Sequence, residues 1–265
     1  MHDIGLLRSG RFQNVTWTAE TGSTNSDLTL WAKGHPADTA VRFADLQTAG
    51  RGRRDRSWDM APGGGLLVSF YVPWTAAATA HLVPTALGVA AVDAIEETGR
   101  SVGLKWPNDL VVASGQKLGG MLSNTVLSHT MGAGTSLAGV VVGLGCNVSW
   151  PAAGQVGLER ATSLDRLGDA PVDREMLAGA LVRRLDRELS DLESFGSATL
   201  HNRYRERCFT IATSVRIENS DGSFTTGVAT DIDPSGALVL DVDGIQRLVD
   251  VGDVVHLRGS QASDG

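Results

Sequence analysis

The sequence predicts an α+β protein: a mixed or antiparallel sheet backed by helices, followed by a small β-barrel. Three observations carry this. Residues 78–97 and 173–195 show helical periodicity, short β-like runs between them cluster in the first two thirds of the chain, and after Cys208 the texture changes to short β runs separated by turn residues. At 265 residues and 42% hydrophobic the chain can bury a large core, and the textures meet near residue 210, which sets expected domains at 1–210 and 211–265.

The elements follow in order. Residues 24–31 read as a short helix with Thr24 as candidate cap, Asp27 in the first turn and Gly34 at the end. Residues 39–45 and 66–72 are β-like, and the glycine- and arginine-rich stretch between them has neither period, so it is a loop. Residues 78–97 place Leu82, Ala86, Val89, Ala90, Val92 and Ile95 at helical spacing, with Gly99 to stop the helix. Strands are expected at 102–106, 117–125 and 138–148, with Ser114-Gly115-Gln116 as a hairpin turn. In 173–195 leucines recur every three or four residues opposite a charged face, behind Asp173 as cap. Ser220-Asp221-Gly222, Pro234-Ser235-Gly236 and Val242-Asp243-Gly244 are hairpin turns of the barrel.

Composition removes several functions. A net charge of -7 argues against a surface built for polyanions. Cys146 and Cys208 are isolated, and the six histidines lack ligand spacing, so neither a disulfide framework nor a protein metal site is expected. No secretory leader is visible and the apolar run 137–146 is too short to span a bilayer, which predicts a soluble, cytoplasmic protein without membrane contact. No G-x-x-x-x-G-K-[ST], helix-opening G-x-G-x-x-G, H-E-x-x-H or G-x-S-x-G occurs.

What remains is a set of local clusters. Gly50-Arg51-Gly52-Arg53-Arg54-Asp55-Arg56-Ser57-Trp58 holds four guanidinium groups and one carboxylate in an acidic chain. Guanidinium forks suit phosphate or carboxylate oxygens, and the glycines allow close backbone approach. Alone, the run equally suits a solvated basic loop or a nucleic-acid patch. Lys105-Trp106-Pro107-Asn108-Asp109 ends one strand, and its hairpin returns at Lys117-Leu118-Gly119-Gly120, which brings two lysines toward one sheet end. Ser23-Thr24-Asn25 is explained by helix capping alone. Gly143-Leu144-Gly145-Cys146-Asn147-Val148 closes an apolar strand with small residues and one amide.

In this order, Ser23-Thr24-Asn25, the run Gln47 to Arg54, Lys105 to Asp109, Lys117 to Gly120 and Gly143 to Val148 resemble the biotin–protein ligases, motif by motif over about residues 20–150. The resemblance implies a mixed-sheet catalytic domain of the class II aminoacyl-tRNA synthetase and biotin ligase type, with a small C-terminal SH3-like β-barrel. It implies that biotin is activated by ATP to an acyl-adenylate, with Mg2+ on the phosphates, and passed to a lysine of a biotin carboxyl carrier protein or domain of acyl-CoA carboxylases. By that resemblance Ser23, Thr24, Asn25 and Gln47 hold the biotin head group, Arg51, Gly52 and Arg53 fold over it, and Lys117 meets the carboxylate. Arg51, Arg53, Lys105 and Lys117 are the expected catalytic cations, with Arg53, Arg56, Trp58, Lys105 and Asn147 on the adenylate.

Asp55 departs from the family's usual glycine, which stiffens the loop. Only 22 residues precede Ser23, too few for a helix-turn-helix, so no nucleic-acid binding is expected. A monomer or weak homodimer is expected. A lipoate or octanoate ligase is the enzymatic alternative, and a nucleic-acid-binding module the non-enzymatic one.

Overall fold

The computed structural model describes residues 2–130, 134–150, 160–218, 222–250 and 253–256. Val15–Thr21 (β1), Thr24–Ala32 (α1) and Ala40–Gln47 (β2) form a parallel strand–helix–strand unit. Gly65–Pro73 (β3) and the helix Leu82–Glu96 (α2) follow, then Gly103–Lys105 (β4), Asp109–Val111 (β5), Lys117–Thr130 (β6) and Gly134–Asn147 (β7). The sheet order is β1-β2-β3-β7-β6-β5-β4, antiparallel everywhere except β1 with β2, so it is a mixed sheet. The expected strands are present. β1 and β5 are additional, and the second helix begins at Leu82 behind a 3₁₀ turn at Ala77–Thr79.

Side-chain alternation divides the sheet's faces. Leu66, Val68, Phe70 and Val72 of β3, with Val140, Val142, Leu144 and Cys146 of β7, join a core with α2 and the helix Arg174–Phe195 (α3). α3 begins as its sequence demands, Asp173 accepting from the backbone N–H of Glu175 and Met176, and it buries Leu177, Leu181, Leu185, Leu189 and Leu192. Truncating any one to alanine would cost about 2–5 kcal/mol. On the other face Leu28, Ala32 and Trp31 of α1 pack on Tyr71, Val126 and Val141. α1 covers only part of that face, and further along it the strands turn to glycine.

The span Ala77–Glu96 is long and apolar enough to cross a bilayer, with mean hydropathy 1.4, but 67% of it is buried against the sheet and neighbouring helices. It is therefore a core helix, and it is longer than the apolar run 137–146. The helix Ser197–Arg207 (α4) completes the layer, where Arg203 pairs with the buried Asp93 and Glu188, and Arg207 also pairs with Asp93.

Thr213–Glu218 (β8), Phe224–Ile232 (β9), Leu238–Val242 (β10), Ile245–Val249 (β11) and Asp253–His256 (β12) form an antiparallel sheet in the order β11-β10-β9-β8-β12. Among the described residues β11 and β12 do not pair with each other, so the small barrel expected from sequence is here a five-stranded sheet. Gly236 and Gly244 take positive φ in their turns, whereas the expected turn at residues 220–222 lies largely outside the described residues. This sheet is docked, not tethered: Phe209 N–H donates to Leu104 O, Trp106 N–H to Thr210 Oγ1, and the Trp106 indole to Gly236 O.

Candidate functional site

A cavity of about 400 Å³ opens on the glycine-bearing part of the sheet beside α1. Its floor follows from register. Gly120 of β6 lies opposite Gly145 of β7, and Leu122 opposite Gly143, while Ser69 of β3 flanks Gly143 from the other side. The bare positions are required. A Cβ on Gly143 would stand 2.2 Å from Asn25 Oδ1, and one on Gly145 would stand 2.5 Å from Trp58 Nε1.

One end of the cavity is a neutral hydrogen-bonding nest. Ser23 is the N-cap of α1 but makes no side-chain cap hydrogen bond, and Thr24, expected as the cap, is the first helical residue. Their side chains serve the cavity instead. Thr24 donates from backbone N–H and Oγ1 to Gln47 Oε1 at 2.8 and 2.9 Å, and its hydroxyl meets Ser69 Oγ at 2.7 Å. Ser69 donates to Asn25 Oδ1 at 2.5 Å, and Asn25 Nδ2 donates to Leu122 O at 3.0 Å. Each hydroxyl has one proton to give, so the Thr24–Ser69 bond forms only when one of the two turns away from its amide oxygen, and burial makes any loss costly. Two residues before Gln47 on β2, Asp45 ties the strand to Trp17, His2 and Arg174. Burial works to raise its carboxyl, but Trp17, Arg174 and His2 hold it below the usual carboxylate range.

The other end is cationic. Lys117 Nζ lies 2.6 Å from Asp109 Oδ1 and 5.5 Å from the Trp58 ring centroid, a cation–π distance. Its strand start is fixed by the neighbouring segment, Lys117 N–H donating to Arg160 O and Thr162 N–H to Lys117 O. The buried Asn147 Nδ2 pins the same segment through Thr162 O at 2.9 Å. Above them, residues 50–58 form a hairpin: Arg51 bridges Ser57, Trp58 N–H donates to Gly50 O, and the turn closes from Arg56 N–H to Arg53 O. Arg54 and Asp55 both have positive φ, +54° and +56°. Arg51, Gly52, Arg53, Arg56 and Trp58 line the cavity, and Arg53 Nη1 donates to Asn108 Oδ1 at 3.1 Å. The Trp58 indole N–H is buried with no acceptor among the described residues.

The structure brings together every residue expected from sequence except Lys105. Ser23, Thr24, Asn25, Gln47, Arg51, Gly52, Arg53, Arg56, Trp58, Lys117 and Asn147 share the cavity wall. Lys105 does not enter it, because Asp109 stands between Lys105 and Gly120 in the β4–β5–β6 register. Its charge lies instead toward His256, whose pKa is lowered by burial and by that lysine. Sequence reasoning missed Ser69, hidden in an apolar strand, and Asn108 and Asp109, quoted only as turn residues. Both cysteines are free and buried, burial pushing Cys146 up to about 12, and no cluster of metal-binding side chains occurs among the described residues.

Comparison with known proteins was made against this geometry. Residues 10–147 match the model of the biotin/lipoate A/B protein ligase family, and residues 213–257 match that of the biotin protein ligase C terminal domain. The chain is 38% identical over 250 residues to a biotin–[acetyl-CoA-carboxylase] ligase of Mycobacterium tuberculosis, covering 91% of this chain and 88% of that one. It is 30% identical to the enzyme of that name from Paracoccus denitrificans, covering 84% of this chain and 92% of the relative. In fold it is similar to a biotin protein ligase from Aquifex aeolicus solved with biotin and ATP, with a TM-score of 0.75, 23% identity, and coverage of 93% and 100%.

Proposed function

Since the chain belongs to the biotin/lipoate A/B protein ligase family, we infer that it is a biotin–protein ligase, which activates biotin with ATP to biotinyl-5'-AMP and transfers it to a lysine of the biotin carrier of acetyl-CoA carboxylase. The observation that carries this is one cavity lined by a neutral hydrogen-bonding group and by a cationic group.

We propose the following roles. Biotin's ureido ring is a neutral amide-like group with donors and an acceptor, and Ser23, Thr24, Asn25, Gln47 and Ser69 offer hydroxyls and amides to match it. Its valeryl chain runs over the glycine floor, where side chains would block it, and its carboxylate reaches Lys117. There it attacks the α-phosphorus: one carboxylate oxygen bonds to phosphorus, the bond to the bridging oxygen breaks, and pyrophosphate leaves. Two anions must meet, so the cationic cluster of Lys117, Arg51, Arg53 and Arg56 offsets the repulsion as charge redistributes. Trp58 and Asn147 take the nucleotide side. Mg2+ arrives on the triphosphate as part of that substrate, which fits a wall with Asp59 and Asp109 as its carboxylates.

In the second step the carrier's uncharged ε-amine bonds to the acyl carbon, the acyl–phosphate bond breaks, AMP leaves with its electron pair, and the proton lost by the amine passes to the departing phosphate or to water. Positioning supplies most of this acceleration, and the hairpin 50–58 keeps water from the anhydride. We propose also that the divide lies at 210/211 and that the C-terminal sheet closes as an SH3-like barrel. The enzyme works in the cytoplasm as a monomer or weak homodimer without nucleic acid.

Pyrophosphate exchange into ATP with biotin, with lipoate and with neither tests the reading. Exchange dependent on biotin is expected. Exchange driven by lipoate, or by no acid, overturns it.

A further inference from the structure

Arg54 differs from the other three arginines of its hairpin: Arg51, Arg53 and Arg56 line the cavity, and Arg54 does not. From the tip of the turn it reaches the other sheet, Nη1 donating to Glu218 Oε2 at 3.0 Å and Nη2 to the Glu218 backbone oxygen at 3.3 Å. Glu218 ends β8 and is in backbone register with Phe224 of β9 and Asp253 of β12. The sheet that carries it is fixed to the catalytic layer through Phe209, Thr210 and Gly236. A guanidinium at the tip of the hairpin thus meets a carboxylate of the docked sheet.

The tip of the hairpin carries a local cost. Arg54 and Asp55 both occupy the left-handed region, at φ +54° and +56°, where a non-glycine residue is disfavoured. At its base, Gly50 packs so closely on Trp58 that a Cβ would stand 2.4 Å from Trp58 O, and Gly52 N–H donates to Arg56 O. Contacts beyond the hairpin tie it down: Arg53 with Asn108, Lys117 with the Trp58 ring and Arg54 with Glu218. The pair is also partly exposed, 33% for Arg54 and 43% for Glu218, so it is weak and screened by salt. A contact that must break once per turnover, to admit biotin and ATP and then the carrier, has to be of this kind.

We propose that Arg54 and Glu218 are positioning residues, a latch by which the C-terminal sheet holds the arginine hairpin closed over the acyl-adenylate. This rests on the ligase reading above. Neither residue touches the reacting atoms. Their effect is on how long Arg51, Arg53 and Arg56 stay in place, and so on how much biotinyl-AMP escapes to water before a carrier arrives.

The test measures release of free biotinyl-AMP without carrier, alongside biotin-dependent pyrophosphate exchange and melting temperature. It uses the wild type, Glu218→Gln, Glu218→Arg, Arg54→Glu and the exchanged pair Arg54→Glu/Glu218→Arg, each at low and high salt. The single variants are expected to release the adenylate about threefold faster at low salt, the scale of an exposed ion pair, with exchange little changed. High salt is expected to erase the difference from wild type, and the exchanged pair to recover part of it. A merely structural role would lower the melting temperature without salt-dependent release or rescue. Release unchanged in Glu218→Arg, or an exchanged pair as leaky as the single variants, overturns the latch; Glu218→Gln serves if the arginine variant does not fold. Absence of biotin-dependent exchange in the wild type would instead sink the ligase reading itself.

Discussion

The two ends of the cavity are built on opposite principles. At the nest, Ser23, Thr24, Asn25 and Ser69 are almost wholly buried and anchored on a helix start and a central strand, and short polar contacts link Thr24 to Ser69 and Ser69 to Asn25. At the hairpin, the arginines sit on a two-strand excursion with a left-handed tip, held by solvent-accessible contacts to Asn108 and Glu218. The difference teaches where rigidity is useful. Discriminating one neutral head group from another needs donors fixed before binding, whereas shielding a reactive anhydride and then exposing it to a protein needs a part that moves.

The sharpest break of this division is Lys117→Ala. If the cationic end acts on the transition state, pyrophosphate exchange falls by about 10²–10³ in kcat with little change in biotin affinity. A loss confined to biotin KM would dissolve the distinction between the ends. Next is Gly143→Ala, whose new Cβ would stand 2.2 Å from Asn25 Oδ1 and 3.0 Å from Ser69 Oγ. Forcing the nest open costs about 1–3 kcal/mol, read by calorimetry as roughly ten- to hundredfold weaker biotin binding, with ATP affinity retained.

Asp55→Gly works on the mobile end in the opposite sense. Glycine accepts the left-handed tip without strain, so the hairpin gains up to about 1 kcal/mol and free adenylate is released several-fold more slowly in a chase experiment. Faster release would mean that the tip's stiffness keeps it shut. The smallest effect concerns Asp45 on β2. Asp45 has a lowered folded-state pKa, so its stabilisation is present above its unfolded value and lost as pH falls through the folded one. Asp45→Asn should therefore melt below the wild type at neutral pH by the worth of about 1–2 kcal/mol, with the gap closing below about pH 4. A gap that persists in acid would assign its effect to packing.

Sequence made one end more legible than the other. The arginine run stood out by charge and glycine content, and its position over the cavity followed from the motifs on either side. The nest was disguised, because capping accounts for every residue type in Ser23-Thr24-Asn25, and the partners that redirect them, Gln47 and Ser69, are distant in sequence. Ser69 is silent within the otherwise apolar β3, and nothing local reveals that it faces the cavity and not the helices. Lys105 was misplaced because strand register, invisible in the chain, sets Asp109 between it and the site. β1 was missed because its exposed edge position leaves a polar pattern without a recognisable hydrophobic face.

The glycine floor has a consequence for anyone wishing to change the acid this protein accepts. Gly120, Gly143 and Gly145 already present bare backbone, so no substitution there can deepen the chamber. A bulkier analogue has to be accommodated sideways, by shortening Leu122 or loosening the seat of α1. Substitutions at the three glycines can only take space away, from biotin as well as from its analogues.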